Sequence, residues 1–284
     1  MSRALAPFII LALLHGPAQA QSLRLHFIDV GEGDAILLQW QGEKPEYILV
    51  DTGNPVTGHR ALEYIRRQGA TELAAIIITH SHMDHAGGLF QIAQSLPARA
   101  LYDNGEDPWK DGDPNPFYRW YREFFLAQPN HKALKAGEKL ALGPAELEIL
   151  WPPAEGFASG YINARSMVIM LRYGKFRALL AGDLIIPAEQ ALARTGVELS
   201  ADILKAGHHA AEDTGSAEFL KKVMPRNVII SVDSDNANGY PSSQVIQRME
   251  ALGARIFMTG REGDIVVEVE ADGAFRVNQK PRQD

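Results

Sequence analysis

Thr79-His80-Ser81-His82-Met83-Asp84-His85-Ala86-Gly87-Gly88 is the stretch on which the reading of this chain turns. Three histidines and an aspartate fall within six residues, directly after the apolar run Ala74-Ala75-Ile76-Ile77-Ile78. That run is short, uncharged and β-branched, so it predicts a buried strand, with the histidines in the turn at its C-terminal end and Gly87-Gly88 opening a helix. In extended backbone, residues two apart point the same way, so His80 and His82 can share one metal ion. Asp84 and His85 lie a turn further on and can reach a second. Neutral imidazole and carboxylate are ligands that suit zinc or manganese.

The surrounding chain has 284 residues, 46% hydrophobic and 22% charged, enough for one sizeable core. Its start has a different character. Arg3, the apolar residues 5–14 and Ala18-Gln19-Ala20 predict a secretory signal peptide over residues 1–20, with an uncleaved anchor as the alternative. Residues 21–284 are then a single exported hydrolase domain, periplasmic or secreted, and no later stretch is long and apolar enough to span a membrane. There is no cysteine, which excludes disulfides and thiolate metal sites and leaves histidine and carboxylate as ligands. The net charge of −7 does not favour a partner held by many phosphate contacts, so a nucleic-acid substrate would need a local patch or the metals themselves.

Outward from the motif, the sequence predicts strands at 23–29, 35–40, 46–50 and 73–78, with a helix at 59–69 and another at 89–95. Residues 103–114 are acidic and turn-rich. Phe117, Trp120, Tyr121, Phe124 and Phe125 then recur at helical spacing, either as a stripe packed on the body or as a wall over the site, with Arg119 and Arg122 as the lid candidates. Strands at 140–141 and 147–151 close a first half at Pro152-Pro153. A hairpin at 166–180, helices after Pro187 and at 216–223 and 242–252, and strands at 201–204, 228–232, 255–258 and 265–270 make a second. The class is α/β: two mixed sheets packed together with helices outside.

Acids and histidines recur where predicted strands end, at Asp51, His80 to His85, Asp183 and His208-His209. Ligands gather beyond the carboxyl ends of strands, so these positions can converge. Asp183, after an apolar run and Gly182, is placed to bridge two cations, and the adjacent histidines are ligand-like.

This ordered series resembles the metallo-β-lactamase fold superfamily, whose His-x-His-x-Asp-His motif stands at His80 to His85. More narrowly it resembles the metallo-hydrolase domain of the DNA-uptake proteins of the ComEC/Rec2 family. The matching pieces are 27–35 (FIDVGEGDA), Val50-Asp51-Thr52-Gly53, 79–88, Asn163 with Ser166, Ala181-Gly182-Asp183, 204–209 (LKAGHH) and Tyr240-Pro241. The resemblance implies an αββα sandwich with metals at one sheet edge, and Asp51 orienting a ligating histidine. Asn163 stands where the lactamases proper have a further histidine, which counts against β-lactamase activity. Ala210-Ala211 replaces the subfamily's Gly-Ser, Tyr240 replaces a common histidine, and the resemblance does not extend to a membrane channel.

The function expected is an exported two-metal phosphodiesterase acting on nucleic acid or a small phosphodiester through a metal-bridging hydroxide. His80, His82 and Asp183 would hold one ion; Asp84, His85, Asp183 and one of the His208–His209 pair, His208 in preference, the other, with two zinc ions expected and manganese the alternative. Asp84 and His209 are the expected catalytic residues, His209 donating to phosphate or to the leaving group. The rival readings are a metallo-hydrolase of lactones or amides, with residues 117–125 as an apolar pocket, and a non-catalytic envelope binding protein.

Overall fold

The structure, a computed structural model, describes residues 21–235 and 237–280. The expected signal peptide lies outside the described residues. In chain order the strands are β1 Ser22–Phe27, β2 Ile36–Gln41, β3 Glu46–Val50, β4 Ala75–Ile77, β5 Leu101–Asp103, β6 His131–Ala133, β7 Lys139–Leu142 and β8 Ala145–Trp151. They continue with β9 Val168–Tyr173, β10 Phe176–Leu180, β11 Ile203–Lys205, β12 Asn227–Ile230, β13 Arg255–Met258, β14 Asp264–Val269 and β15 Phe275–Lys280. The helices are α1 Gly58–Arg67, α2 Met83–Ala86, α3 Leu89–Ser95, α4 Pro116–Leu126, α5 Ile186–Arg194, α6 Ala217–Val223, α7 Ser243–Glu250 and α8 Thr259–Glu262.

Two sheets form, in the orders β15-β14-β1-β2-β3-β4-β5-β6 and β13-β12-β11-β10-β9-β8-β7. Alternation explains how they pack. Leu23, Leu25 and Phe27 of β1, Ile36, Leu38 and Trp40 of β2, and Ile48 and Val50 of β3 meet Ile169, Leu171, Phe176, Ala178 and Leu180 of the second sheet in a shared core. The alternate residues Leu37, Leu49, Ile76 and Ile78 face outward under Ala61, Ile65, Leu89 and Ile92 of α1 and α3. On the other side Met170, Leu179, Leu204 and Val228 lie under Ala188, Leu192, Phe219, Val245 and Met249 of α5, α6 and α7. Strands buried on both faces are apolar throughout, which is why the run before the histidines shows no polar alternation.

The expected division into two sequence halves is corrected by the strand pairing. Strands β7 and β8, from the first half, join the second sheet, while β14 returns to pair antiparallel with β1. Strands β5, β6 and β15 were not expected. The first two are three residues long, too short for a periodic signal, and β15 is an edge strand of mixed polarity.

The aromatic helix packs. Asn115 caps it by accepting the Phe117 amide at 3.0 Å, Pro116 fits the first turn, and Tyr118, Tyr121 and Phe125 are buried at helical spacing. Arg119 pairs with Glu123 on the helix surface, and Arg122 reaches the buried Asp103 at 3.1 Å, so neither arginine is turned into a lid.

Within the first sheet β3 to β6 run parallel, and within the second β10 to β13 do. The turns after β3, β4, β10, β11 and β12 therefore carry Asp51, His80 to His85, Asp183, His208-His209 and Ser231. A hydrogen bond from the Met167 amide to the Thr79 carbonyl, 2.9 Å long, ties the two sheets together beside the histidine turn.

Candidate metal centre

Asp51 organises the histidine turn from behind. Its Oδ1 accepts the Thr79 amide at 2.8 Å, and its Oδ2 accepts Thr79 Oγ1 at 2.8 Å and His85 Nδ1–H at 2.8 Å. Donation from Nδ1 leaves His85 Nε2 as the free nitrogen, aimed away from Asp51. The next residue, Thr52, holds the His85 carbonyl through both its amide and its hydroxyl, at 2.7 and 2.8 Å. Gly33 lets the turn before β2 press against this segment: its φ is +117° and a Cβ there would collide with the Asp84 carbonyl oxygen, which accepts the Asp34 amide.

Asp183 joins two groups of side chains. Its Oδ1 lies 3.1 Å from His85 Nε2 and 3.7 Å from His209 Nε2, while its Oδ2 lies 3.6 Å from His80 Nε2. One group is His80, His82 and Asp183; the other is Asp84, His85, Asp183 and His209, each with its ligand atoms mutually within 4.8 Å. His80 Nε2 and His82 Nδ1 stand 3.0 Å apart, and Asp84 Oδ2 is 3.1 Å from His209 Nε2.

The structure places His209, and not His208, beside the carboxylates. His209 Nδ1–H donates to the Ser231 carbonyl at 2.8 Å, which turns Nε2 inward. His208 instead points Nδ1 at Asp213, 2.7 Å away, with Nε2 at 3.4 Å from the Tyr240 hydroxyl. The cause lies in the backbone. His208, His209 and Ala210 have φ of 42°, 50° and 60°, three left-handed residues in succession, and this tight turn sends the two adjacent side chains to different places. Ala210 thus takes the conformation that a glycine would adopt without strain. It is held there by the Ser242 amide, which donates to its carbonyl at 2.9 Å.

Electrostatics favour a cation in this cluster. Burial works against charge on His85, yet Asp183, Asp84 and Asp51 outweigh it and hold the imidazole well above its ordinary range. His209 is raised to about 9: burial opposes charge there too, and Asp183 and Asp84 prevail. Burial and the neighbouring His85 hold His80 well below the usual value. Asp183, although burial alone would raise it, is kept well below the carboxylate range by His85 and His209. The buried His85 Nε2 and Asp183 Oδ1 have no hydrogen-bond partner of proper geometry. Unsatisfied imidazole nitrogen and carboxylate oxygen, converging from three turns, fit divalent metal ions as ligands.

Four further residues support the site without any role legible in the sequence. Asp34 and Lys205 form a buried ion pair behind His209, with Asp34 Oδ1 3.8 Å from its Nδ1. The Ser231 contribution is a backbone carbonyl, which leaves no residue-type signal. Glu106, from the acidic turn-rich segment, is buried against Ser81. Asn163 sits in a short 3-10 turn, with its Oδ1 buried and without a hydrogen-bond partner. Beside the cluster opens a cleft of about 570 Å³ whose walls include His208, Ala211, Asp213, Asn238, Tyr240 and Ser242.

The family model described as Metallo-beta-lactamase superfamily matches residues 28–233. The chain is similar to ComE operon protein 3 of Bacillus subtilis, 24% identical over 265 residues covering 88% of this chain and 33% of that protein. It is also similar to Recombination protein 2 of Haemophilus influenzae, 28% identical over 250 residues covering 86% of this chain and 29% of that one. The chain spans about a third of the length of these relatives. At modest identity, they bear out the resemblance to ComEC-type proteins. Among solved structures, the metallo-beta-lactamase fold protein YhfI from Bacillus subtilis shares the fold, with a TM-score of 0.52 and 13% identity over 89% of this chain and 99% of that one.

Proposed function

The chain belongs to the metallo-beta-lactamase superfamily, and from that premise we propose that it is an exported metal-dependent phosphodiesterase with a two-ion centre. The observation that carries the two-ion reading is Asp183, whose separate oxygens approach His80 on one side and His85 and His209 on the other. In this reading His80, His82 and Asp183 hold one ion, and Asp84, His85, Asp183 and His209 the second. When bound, divalent zinc or manganese supplies a Lewis acid that lowers the pKa of water and neutralises charge on phosphate oxygens.

The chain's own residues complete the site. Asp84 is the carboxylate of the cluster that remains open to solvent, with its side chain 31% exposed, and is placed to orient the attacking water. Asp213 fixes His208 so that Nε2 faces Tyr240 at the wall of the cleft. From there His208 donates a hydrogen bond to a phosphate oxygen or a proton to the leaving oxygen. The roles expected for the adjacent histidines are thus exchanged, with His209 the ligand and His208 the donor.

Phosphate is favoured over a lactone or amide because hydrogen-bonding groups of Asn238, Ser242 and Tyr240 wall the cleft beside His208, whose imidazole is partnered by Asp213. The aromatic residues that would have made an apolar pocket are instead packed on the first sheet. A small phosphodiester or a nucleic-acid strand end suits the net charge of −7 better than a long duplex. The residues preceding Gln21 support export. Among the described residues no helix is long and apolar enough to cross a membrane. The test is a panel of phosphodiester, phosphomonoester, lactone and β-lactam substrates, run on protein of measured metal content. Turnover restricted to lactones would overturn the reading.

A further inference from the structure

His80 and His82 share a target only if the backbone between them is held extended, which makes the intervening residue the place to fix the turn. Ser81 is fully buried and faces away from the cluster. Both of its donors go to one atom: Glu106 Oε1 accepts the Ser81 amide at 2.8 Å and the Ser81 hydroxyl at 2.9 Å. Glu106 is itself 7% exposed and sits in a built socket. Its amide is accepted by Asn104 Oδ1 at 3.1 Å, and Asn104 Nδ2 donates to the Arg165 carbonyl at 2.9 Å. The Arg165 guanidinium approaches Glu106 Oε2 at 3.4 Å and Asp111 at 3.5 Å. An acidic segment that reads as surface loop is therefore threaded beneath the histidine turn, with one carboxylate pegged into it.

We propose that Glu106 is a positioning residue for the first ion: through Ser81 it aims His80 and His82 together at Asp183. The inference rests on the two-ion reading above and adds an asymmetry to it. The second group has direct partners of its own, His85 on Asp51 and His209 on the Ser231 carbonyl, whereas Asp51 reaches the first group only through Thr79, whose Oγ1 lies 3.1 Å from His80 Nδ1. Loss of Glu106 leaves the two Ser81 donors without their acceptor and loosens the turn at His80 and His82, while Asp51 and Thr52 still hold its far end at His85.

The experiment titrates metal-free protein with zinc in a calorimeter and with cobalt, followed by its absorption spectrum. The wild type should take up two ions. Glu106→Ala should bind its His80-side ion roughly ten- to a hundredfold more weakly while the other ion keeps its affinity, as expected when an outer hydrogen-bond partner of a ligand is removed. Glu106→Gln retains an acceptor oxygen for Ser81 and should restore most of the loss. Ser81→Ala, which keeps the amide bond and removes the hydroxyl, should give a smaller weakening of the same ion, and it carries the test should Glu106→Ala fail to fold. Equal weakening of both ions, or a lower melting temperature with both affinities intact, assigns Glu106 a merely structural role and overturns the proposal. A wild type that binds fewer than two ions overturns the two-ion reading itself.

Discussion

Lys205 Nζ stands 2.8 Å from Asp34 Oδ2, with both side chains closed to solvent, and this ion pair ties β11 of one sheet to the turn before β2 of the other. The ammonium also donates to the Ala206 carbonyl at 2.9 Å. Removing one partner of such a pair leaves a buried charge uncompensated. Lys205→Met should therefore destabilise the fold by about 3–5 kcal/mol, and the double change with Asp34→Asn should recover part of that loss. Urea unfolding of the two single variants and the double variant measures it. Additive effects would show that the pair contributes no coupling.

The adjacent histidines should separate by kind of defect. His209→Ala should lower metal content, because its Nε2 is turned into the cluster by the Ser231 carbonyl. His208→Ala should leave metal content unchanged and lower kcat roughly a hundred- to ten-thousandfold, the usual range for a proton donor. Metal analysis beside steady-state kinetics distinguishes them, and loss of metal from the His208 variant would reverse the assignment.

Tyr121 gives a packing prediction with two signs. Its ring is fully buried beneath α4, so Tyr121→Ala should cost about 3–5 kcal/mol while the kinetics of the folded enzyme hardly change. Its buried hydroxyl has no hydrogen-bond partner, so Tyr121→Phe removes an unsatisfied group and should be at least as stable as the wild type. Melting temperatures of the two variants check both signs.

His26 should make the metal-free fold acid-sensitive. It is buried between Tyr64 and Gln39, and burial lowers its pKa to about 3 from an ordinary 6.5. Between those values the unfolded chain binds a proton that the folded one refuses, so ν_U exceeds ν_N and stability rises with pH. The stability contributed by neutral His26 is present above pH 6.5 and falls as pH drops towards 3, by roughly 1.4 kcal/mol per pH unit at most. His26→Gln should flatten this acid limb, measured by urea unfolding of chelator-treated protein at several pH values. Parallel limbs in variant and wild type would contradict it.

What could be read from the sequence was what lies close together in it. His80 to His85 follow a strand whose residues are apolar on both faces, so position, spacing and chemistry agreed. Asp51 and Asp183 were found because strand ends recur at one edge. Which of His208 and His209 faces the cluster was not legible, because it is set by three successive left-handed residues at 208–210, and neither histidine nor alanine announces that conformation. Glu106 was hidden for another reason: its segment is acidic and turn-rich, and its burial depends on Ser81 and Arg165 arriving from two other places, with Asn104 of its own segment holding its amide. The crossing of β7 and β8 into the second sheet, and of β14 into the first, is likewise a matter of long-range pairing that local periodicity cannot carry.

The most direct measurement is turnover of bis-nitrophenyl phosphate by metal-free protein as zinc or manganese is returned in known equivalents. The account predicts no activity after chelation, recovery that is complete only with the second ion, and two ions per chain by mass spectrometry. It further predicts that Asp183→Asn, which weakens the residue common to both groups, binds neither ion tightly and stays inactive. Full phosphodiester turnover by protein shown to be free of metal would contradict the account at its centre.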